Sequence, residues 1–158
     1  MIDRANGANL SFESKVAQLK KKYPLLSSSE EKYTEIIRMG RELSPFPPER
    51  CTENHLVQGC QSRLYLYTWM EQGKIFFTAQ ADALISAGLA ALLIAVYSGE
   101  SPDIVLKNPP NFLHELGIHA SLSLNRSSGL AHIHLRMKQD VIKFLLPSVT
   151  GSYFLKKT

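Results

Sequence analysis

The chain has 158 residues, 44% of them hydrophobic and 20% charged, with a net charge of +4. That size suits one domain with its own core, and the composition is that of a soluble globular protein. The mild charge, dense only at Lys20-Lys21-Lys22 and paired at Lys156-Lys157, excludes a nucleic-acid reading, which needs basic residues interleaved with aromatics along a face.

In chain order, Phe12, Val16 and Leu19 recur at helical steps before Tyr23-Pro24 interrupts them. Ser28 or Ser29 caps a second helix carrying Tyr33, Ile36, Ile37 and Gly40, which Ser44-Pro45-Phe46-Pro47-Pro48 ends. From Asn54 the pattern changes to period two. Arg63, Tyr65, Tyr67 and Trp69 share one face of a strand, and Leu64, Leu66, Thr68 and Met70 the other. Glu71-Gln72-Gly73-Lys74 reads as a hairpin loop and Ile75 to Gln80 as the returning strand, with His55-Leu56-Val57 expected as a short third strand.

The second half is helical. The most apolar stretch, Ala83 to Tyr97, falls short of the ~20 residues that span a bilayer and reads as a buried core helix, with Asp82 suited to its N-cap. Ser101-Pro102 opens a short helix, Pro109-Pro110 begins another that closes at Gly117, and Leu130, Ile133, His134, Met137, Val141, Phe144 and Leu145 mark one face of a long final helix ended by Pro147. No repeat or linker divides the chain. Helices, then antiparallel strands, then helices imply an α+β domain with one small antiparallel sheet of about three strands packed against helices.

Two cysteines cannot make a secreted disulfide framework, and the N-terminus lacks the charged-then-apolar pattern of a secretory signal, so a reducing cytoplasm is expected. Cys60 stands out within Gln58-Gly59-Cys60-Gln61-Ser62, because a cysteine kept for packing normally sits in an apolar run. Here the thiol lies on a glycine hinge, among turn-forming neighbours, at the entry to a strand. Cys51, nine residues earlier, reads as a passive loop thiol, although a disulfide to Cys60 is within chain reach. The histidines offer no metal site. His132 and His134 diverge by roughly 200° on a helix; His134 falls on the apolar face, His132 is expected to face solvent, and His55, His114 and His119 are scattered.

Gln58-Gly59-Cys60-Gln61-Ser62 followed by an aromatic-rich strand resembles the SufE/CsdE family of sulfur acceptors for cysteine desulfurases. Glu31-Lys32-Tyr33 with Ile36-Ile37 and Gly40, Asp82-Ala83 leading to Gly88-Leu89, Ser101-Pro102-Asp103-Ile104-Val105, and Asn125-Arg126-Ser127-Ser128-Gly129-Leu130 resemble further family segments in order and spacing, the last as an arginine loop before the final helix. The resemblance implies a SufE/IscU-like fold over residues 28–146, after a helical segment at 1–27 and before a tail at 147–158.

It also implies transpersulfidation. Cys60 would take sulfur from a persulfide on a pyridoxal-phosphate-dependent desulfurase of SufS or CsdA type, stimulate that enzyme, and deliver sulfur to a SufBCD-like iron–sulfur scaffold. Gln58, Gly59, Gln61 and Ser62 would form the supporting loop. The chain would hold no cofactor or metal of its own and would not be an enzyme in its own right. Asp82 and Arg126 match family positions for docking or loop positioning, although Asp82 as a helix cap and Arg126 as a solvent-exposed residue remain open. Arg63 is close enough in sequence to favour a Cys60 thiolate, but strand alternation also accounts for it. The competing reading is a regulatory module that docks on a desulfurase without carrying sulfur. A cluster scaffold of IscU type would need three cysteines.

Overall fold

A computed structural model describes residues 11–23, 28–118 and 124–146, with side chains of the last segment described from Gly129 onward. Helix α1 (Phe12–Lys22) starts at Ser11, whose hydroxyl accepts the Ser14 N–H at 3.2 Å. Ser28 caps α2 (Ser29–Arg41) in the same way, accepting from Glu31 N at 3.1 Å and resolving the choice between the two serines.

Strand β1 (Leu64–Glu71) pairs antiparallel with β2 (Lys74–Ala81), in a register running from Leu64 opposite Ala81 to Glu71 opposite Lys74. Their two-residue turn puts both central residues at positive φ, Gln72 at 50° and Gly73 at 77°, the backbone twist that suits a tight hairpin. Two isolated bridges extend the sheet, Leu56 to Tyr65 at one edge and Ile75 to Glu100 at the other. The expected third strand is therefore a single bridge. Glu53–His55 winds into a 3-10 turn, so little extended chain is left before the turn at Gln58.

Helix α3 (Leu84–Tyr97) follows, then α4 (Pro102–Lys107) with proline in its first turn, and α5 (Phe112–Glu115), which runs out at Gly117 with φ of 70°. Helix α6 (Leu124–Leu145) already includes Asn125 to Leu130, so the expected arginine loop is instead the helix's first turns. Serine and glycine there suggest a loop, but Gly129 takes no left-handed φ and the helix runs through it. The tail from Pro147 with Lys156-Lys157, His119, and residues 1–10 of the N-terminal segment lie outside the described residues.

The core centres on α3. Ile36 on α2, Leu64 and Leu66 on β1, Ile75 and Phe77 on β2, and Ile133, Met137 and Val141 on α6 are buried in one cluster with Leu89, Leu92, Leu93 and Val96. Helices α2 and α3 cross on glycines: a Cβ on Gly40 would lie 2.6 Å from Gly88 N. Phe12 stacks on Tyr97 at 5.3 Å, so α1 belongs to the same core. The proline-rich strap after α2 covers the outer face of the hairpin. Thr78 Oγ1 donates to Ser44 O at 3.2 Å, Phe46 packs on Tyr65, and Arg50 lies 4.7 Å over the Tyr67 ring.

His134 is a core residue, as its position on the apolar face of α6 suggests. It is 7% exposed, 5.3 Å from the Tyr97 ring, and its Nε2 has no hydrogen-bond partner. Burial pushes its pKa down from 6.5 to about 4. The unfolded chain takes a proton near 6.5 and the folded chain only near 4, so the stability is present above that window and lost as pH falls through it. The loss reaches about 3 kcal/mol on this group's account. Half-buried His55, also shifted down mainly by burial, acts in the same direction. Denaturant melts of wild type and His134→Leu between pH 7 and pH 4 are expected to show a shallower acid decline in the variant, and parallel curves would contradict this.

Candidate functional site

The stretch singled out in the sequence forms a loop with a closed neck. Val57 N donates to Leu64 O at 2.8 Å, and Gln58 and Gly59 make the turn between them, with Gly59 at φ of 87°. A side chain at Gly59 is disfavoured twice, by that backbone region and by His132 of α6. A Cβ there would meet the imidazole Cε1 and Nδ1 at 2.6 Å. His132 thus packs against the loop instead of facing solvent. Helical angle alone places it off the apolar face, and only the path of a loop more than seventy residues away brings a neighbour to it.

Cys60 is half-buried and lines a recess of about 150 Å³. Leu64, Leu89 and Ile133 line its apolar side, and Gln61, Ser62, Ala83, Ser86 and Gly129 complete it. Burial raises the thiol pKa above its ordinary value, and Arg63 supplies no compensating charge, so the resting sulfur is a neutral thiol. Gln58 and Gln61 are exposed, whereas Ser62 turns inward and donates to Ser86 Oγ at 2.6 Å. Cys51 is free and half-buried, ending the 3-10 turn Pro48–Arg50, and makes no disulfide with Cys60.

Asp82 is not the cap of α3. Ala83 occupies that position without a side-chain cap, and the Asp82 carboxylate accepts the Arg63 N–H at 3.0 Å while Asp82 N donates to Arg63 O at 3.1 Å. The pair fastens the downstream limb of the Cys60 loop to the end of β2. An acid just before a helix reads locally as a cap, and the competing donor is 19 residues away in sequence. Arg126 lies in the first turns of α6, and its side chain is outside the described residues.

The upstream limb has an anchor that sequence reasoning missed. Arg136 Nη1 donates to Leu56 O at 2.9 Å, Nη2 donates to Asn54 O, and Nε donates to Asp140 Oδ1 at 2.9 Å. Thr68 Oγ1 holds the other carboxylate oxygen at 2.8 Å. The only local signal is an Arg136–Asp140 pair four residues apart on a helix, which ordinarily reads as a surface ion pair. Among the described residues no three His, Cys, Asp or Glu side chains converge as a metal site, and no helix is long and apolar enough to cross a membrane.

The family model described as SufE, Fe-S metabolism associated domain, matches residues 17–141. The sulfur acceptor protein CsdE of Escherichia coli is 32% identical over 114 residues, which cover 71% of this chain and 78% of that protein. The cysteine desulfuration protein SufE of Plasmodium falciparum is 29% identical over 142 residues, 84% of this chain and 57% of that one. A solution structure of a hypothetical protein from Thermus thermophilus superimposes with a TM-score of 0.70 at 27% identity, covering 83% of this chain and 96% of the other.

Gly59→Ala is expected to cost about 1–3 kcal/mol through its positive φ and to push the loop off His132. Cys60 would then react with iodoacetamide several-fold faster than in wild type. Adding His132→Ala should bring the rate part of the way back, because the collision is relieved while the backbone strain persists. An unchanged alkylation rate in Gly59→Ala would show that the glycine contact does not hold the thiol in place.

Proposed function

The chain belongs to the SufE family, and on that footing we propose that Cys60 accepts sulfur from a cysteine desulfurase. The observation that carries this reading is a single thiol at the tip of a loop, sheltered in a partly apolar recess while both limbs of the loop are fastened to the body. Such a loop can present its tip to another protein without disturbing the core. The names of the relatives, a sulfur acceptor protein and a cysteine desulfuration protein, support the same class of partner.

In the proposed step the loop leaves the recess and the thiol, no longer desolvated, loses its proton more readily. The Cys60 thiolate attacks the outer sulfur of a persulfide on the desulfurase cysteine. A new sulfur–sulfur bond forms at Cys60, the old one breaks, and the enzyme cysteine leaves as a thiolate that takes up a proton. No net oxidation occurs. Pyridoxal phosphate on the partner supplies the chemistry that frees sulfur from cysteine, and this chain needs no cofactor for its part.

Removing the persulfide returns the desulfurase to its starting state, so the chain would stimulate an enzyme without turning over substrate itself. Return of the loop shelters the loaded sulfur from oxidants. Transfer onward to an iron–sulfur scaffold of SufBCD type completes the role. Free cysteines suit this work in a reducing compartment such as the cytoplasm.

Sulfide release by a cognate desulfurase, with cysteine and reductant present, tests the proposal. Wild type and Cys51→Ser are expected to stimulate equally, and Cys60→Ala not at all. Stimulation retained by Cys60→Ala would identify a docking regulator that carries no sulfur.

A further inference from the structure

Two hydrogen bonds from one side chain converge on the peptide that precedes the Cys60 loop. The Arg136 guanidinium spans the carbonyls of Asn54 and Leu56, 82 and 80 residues away in sequence, while its Nε is held by Asp140. Asp140 is itself buried, 8% exposed, and its second oxygen is fixed by Thr68 on β1. A planar guanidinium clamped on one edge by a carboxylate presents its other edge in a fixed direction, which a flexible ammonium does not do. The network therefore ties three separate parts of the chain, the approach to the loop, β1 and α6, at one point.

The downstream limb is tied separately, through Asp82 to Arg63. From Arg63 to Cys60 is three residues, so the Cys60 Cα can swing no more than roughly 10 Å from that tie. The short limb sets the reach whatever happens upstream. The upstream tie has a different consequence: it decides whether the loop turns about one fixed neck at Val57 and Leu64 or whether the chain back to the 3-10 turn at Glu53–His55 joins the motion.

We propose that Arg136 is a positioning residue for Cys60, confining the moving segment to Gln58–Ser62 so that the thiol returns to its recess between visits to a partner. This rests on the sulfur-acceptor reading for its purpose, but not for its test. With Arg136 removed, two backbone carbonyls lose their donor, the neck loosens and Cys60 spends more time outside the recess.

The test is the rate of Cys60 alkylation by iodoacetamide at fixed pH, followed by peptide mass, in the full chain. Arg136→Gln is expected to react several-fold faster than wild type, and Arg136→Lys to fall between them. Val141→Ala, a core truncation on the same helix, controls for general loss of stability and should stay at the wild-type rate. If Arg136→Gln does not fold, Thr68→Val, which frees the Asp140 carboxylate with little change of shape, carries the test with a smaller acceleration. With a desulfurase, Arg136→Gln should lower the KM for the acceptor, because more of the protein already holds the thiol outside the recess, and leave kcat unchanged. An unaltered alkylation rate in the Arg136 and Thr68 variants, or an equal acceleration in Val141→Ala, would overturn the proposal. Faster alkylation together with a wild-type protein that fails to stimulate any desulfurase would uphold the clamp and refute the sulfur-acceptor reading instead.

Discussion

Helix α3 has no exposed residue from Ile85 to Tyr97, and α1, α2, β2 and α6 pack around it. An all-round apolar helix is stable in water only when enclosed, and each fully buried Leu or Ile contributes about 1.5–3 kcal/mol. Helix α2 approaches one side closely enough that only glycine fits at Gly40 and Gly88. The inner face of the hairpin, α6 and α1 close the rest. Coverage thins at the N-terminal end, where Leu84 is 55% exposed and Ala83, Ser86 and Leu89 line the recess. The Cys60 loop lies over that gap. The same burial that organises the core therefore creates the place where the thiol rests.

Burial also sets the chemistry. A cysteine against Leu64, Leu89 and Ile133 holds its proton, and a protonated thiol is a poor nucleophile and a poor target for oxidants. In the proposed transfer, reactivity depends on where the loop is, and the thiol's resting place and its working state differ by a short movement. That division needs limbs that stay fixed while the tip moves. Asp82 with Arg63 and Arg136 with Asn54 and Leu56 supply them from opposite sides. Gly59, with its left-handed φ and no Cβ to meet His132, lets the tip lie flat on α6 between them.

Local pattern made much of this legible. Period two marked β1, Glu71-Gln72-Gly73-Lys74 marked the hairpin, Ser28 or Ser29 and Pro102 marked helix starts, and the polar, glycine-hinged setting of Cys60 marked the loop. What escaped is the set of contacts whose partners are far apart in the chain. Asp82 looks like a cap because its neighbours form a helix, yet a backbone N–H across the hairpin end takes its carboxylate. Arg136 looks like half of a surface ion pair, yet it is folded against carbonyls from the first half of the chain. His132 looks solvent-facing from its helical angle, and the loop then covers it. The third strand shrank to one bridge because a 3-10 turn used up the residues that alternation alone would have extended.

The central claim is that sulfur lands on Cys60. Incubating wild-type protein with a cognate desulfurase and cysteine, then mapping peptide masses without reductant, reads this directly. The peptide containing Cys60 should be heavier by one sulfur atom while the peptide containing Cys51 keeps its mass. Sulfur appearing on Cys51, or on neither cysteine while the desulfurase is still stimulated, would contradict it.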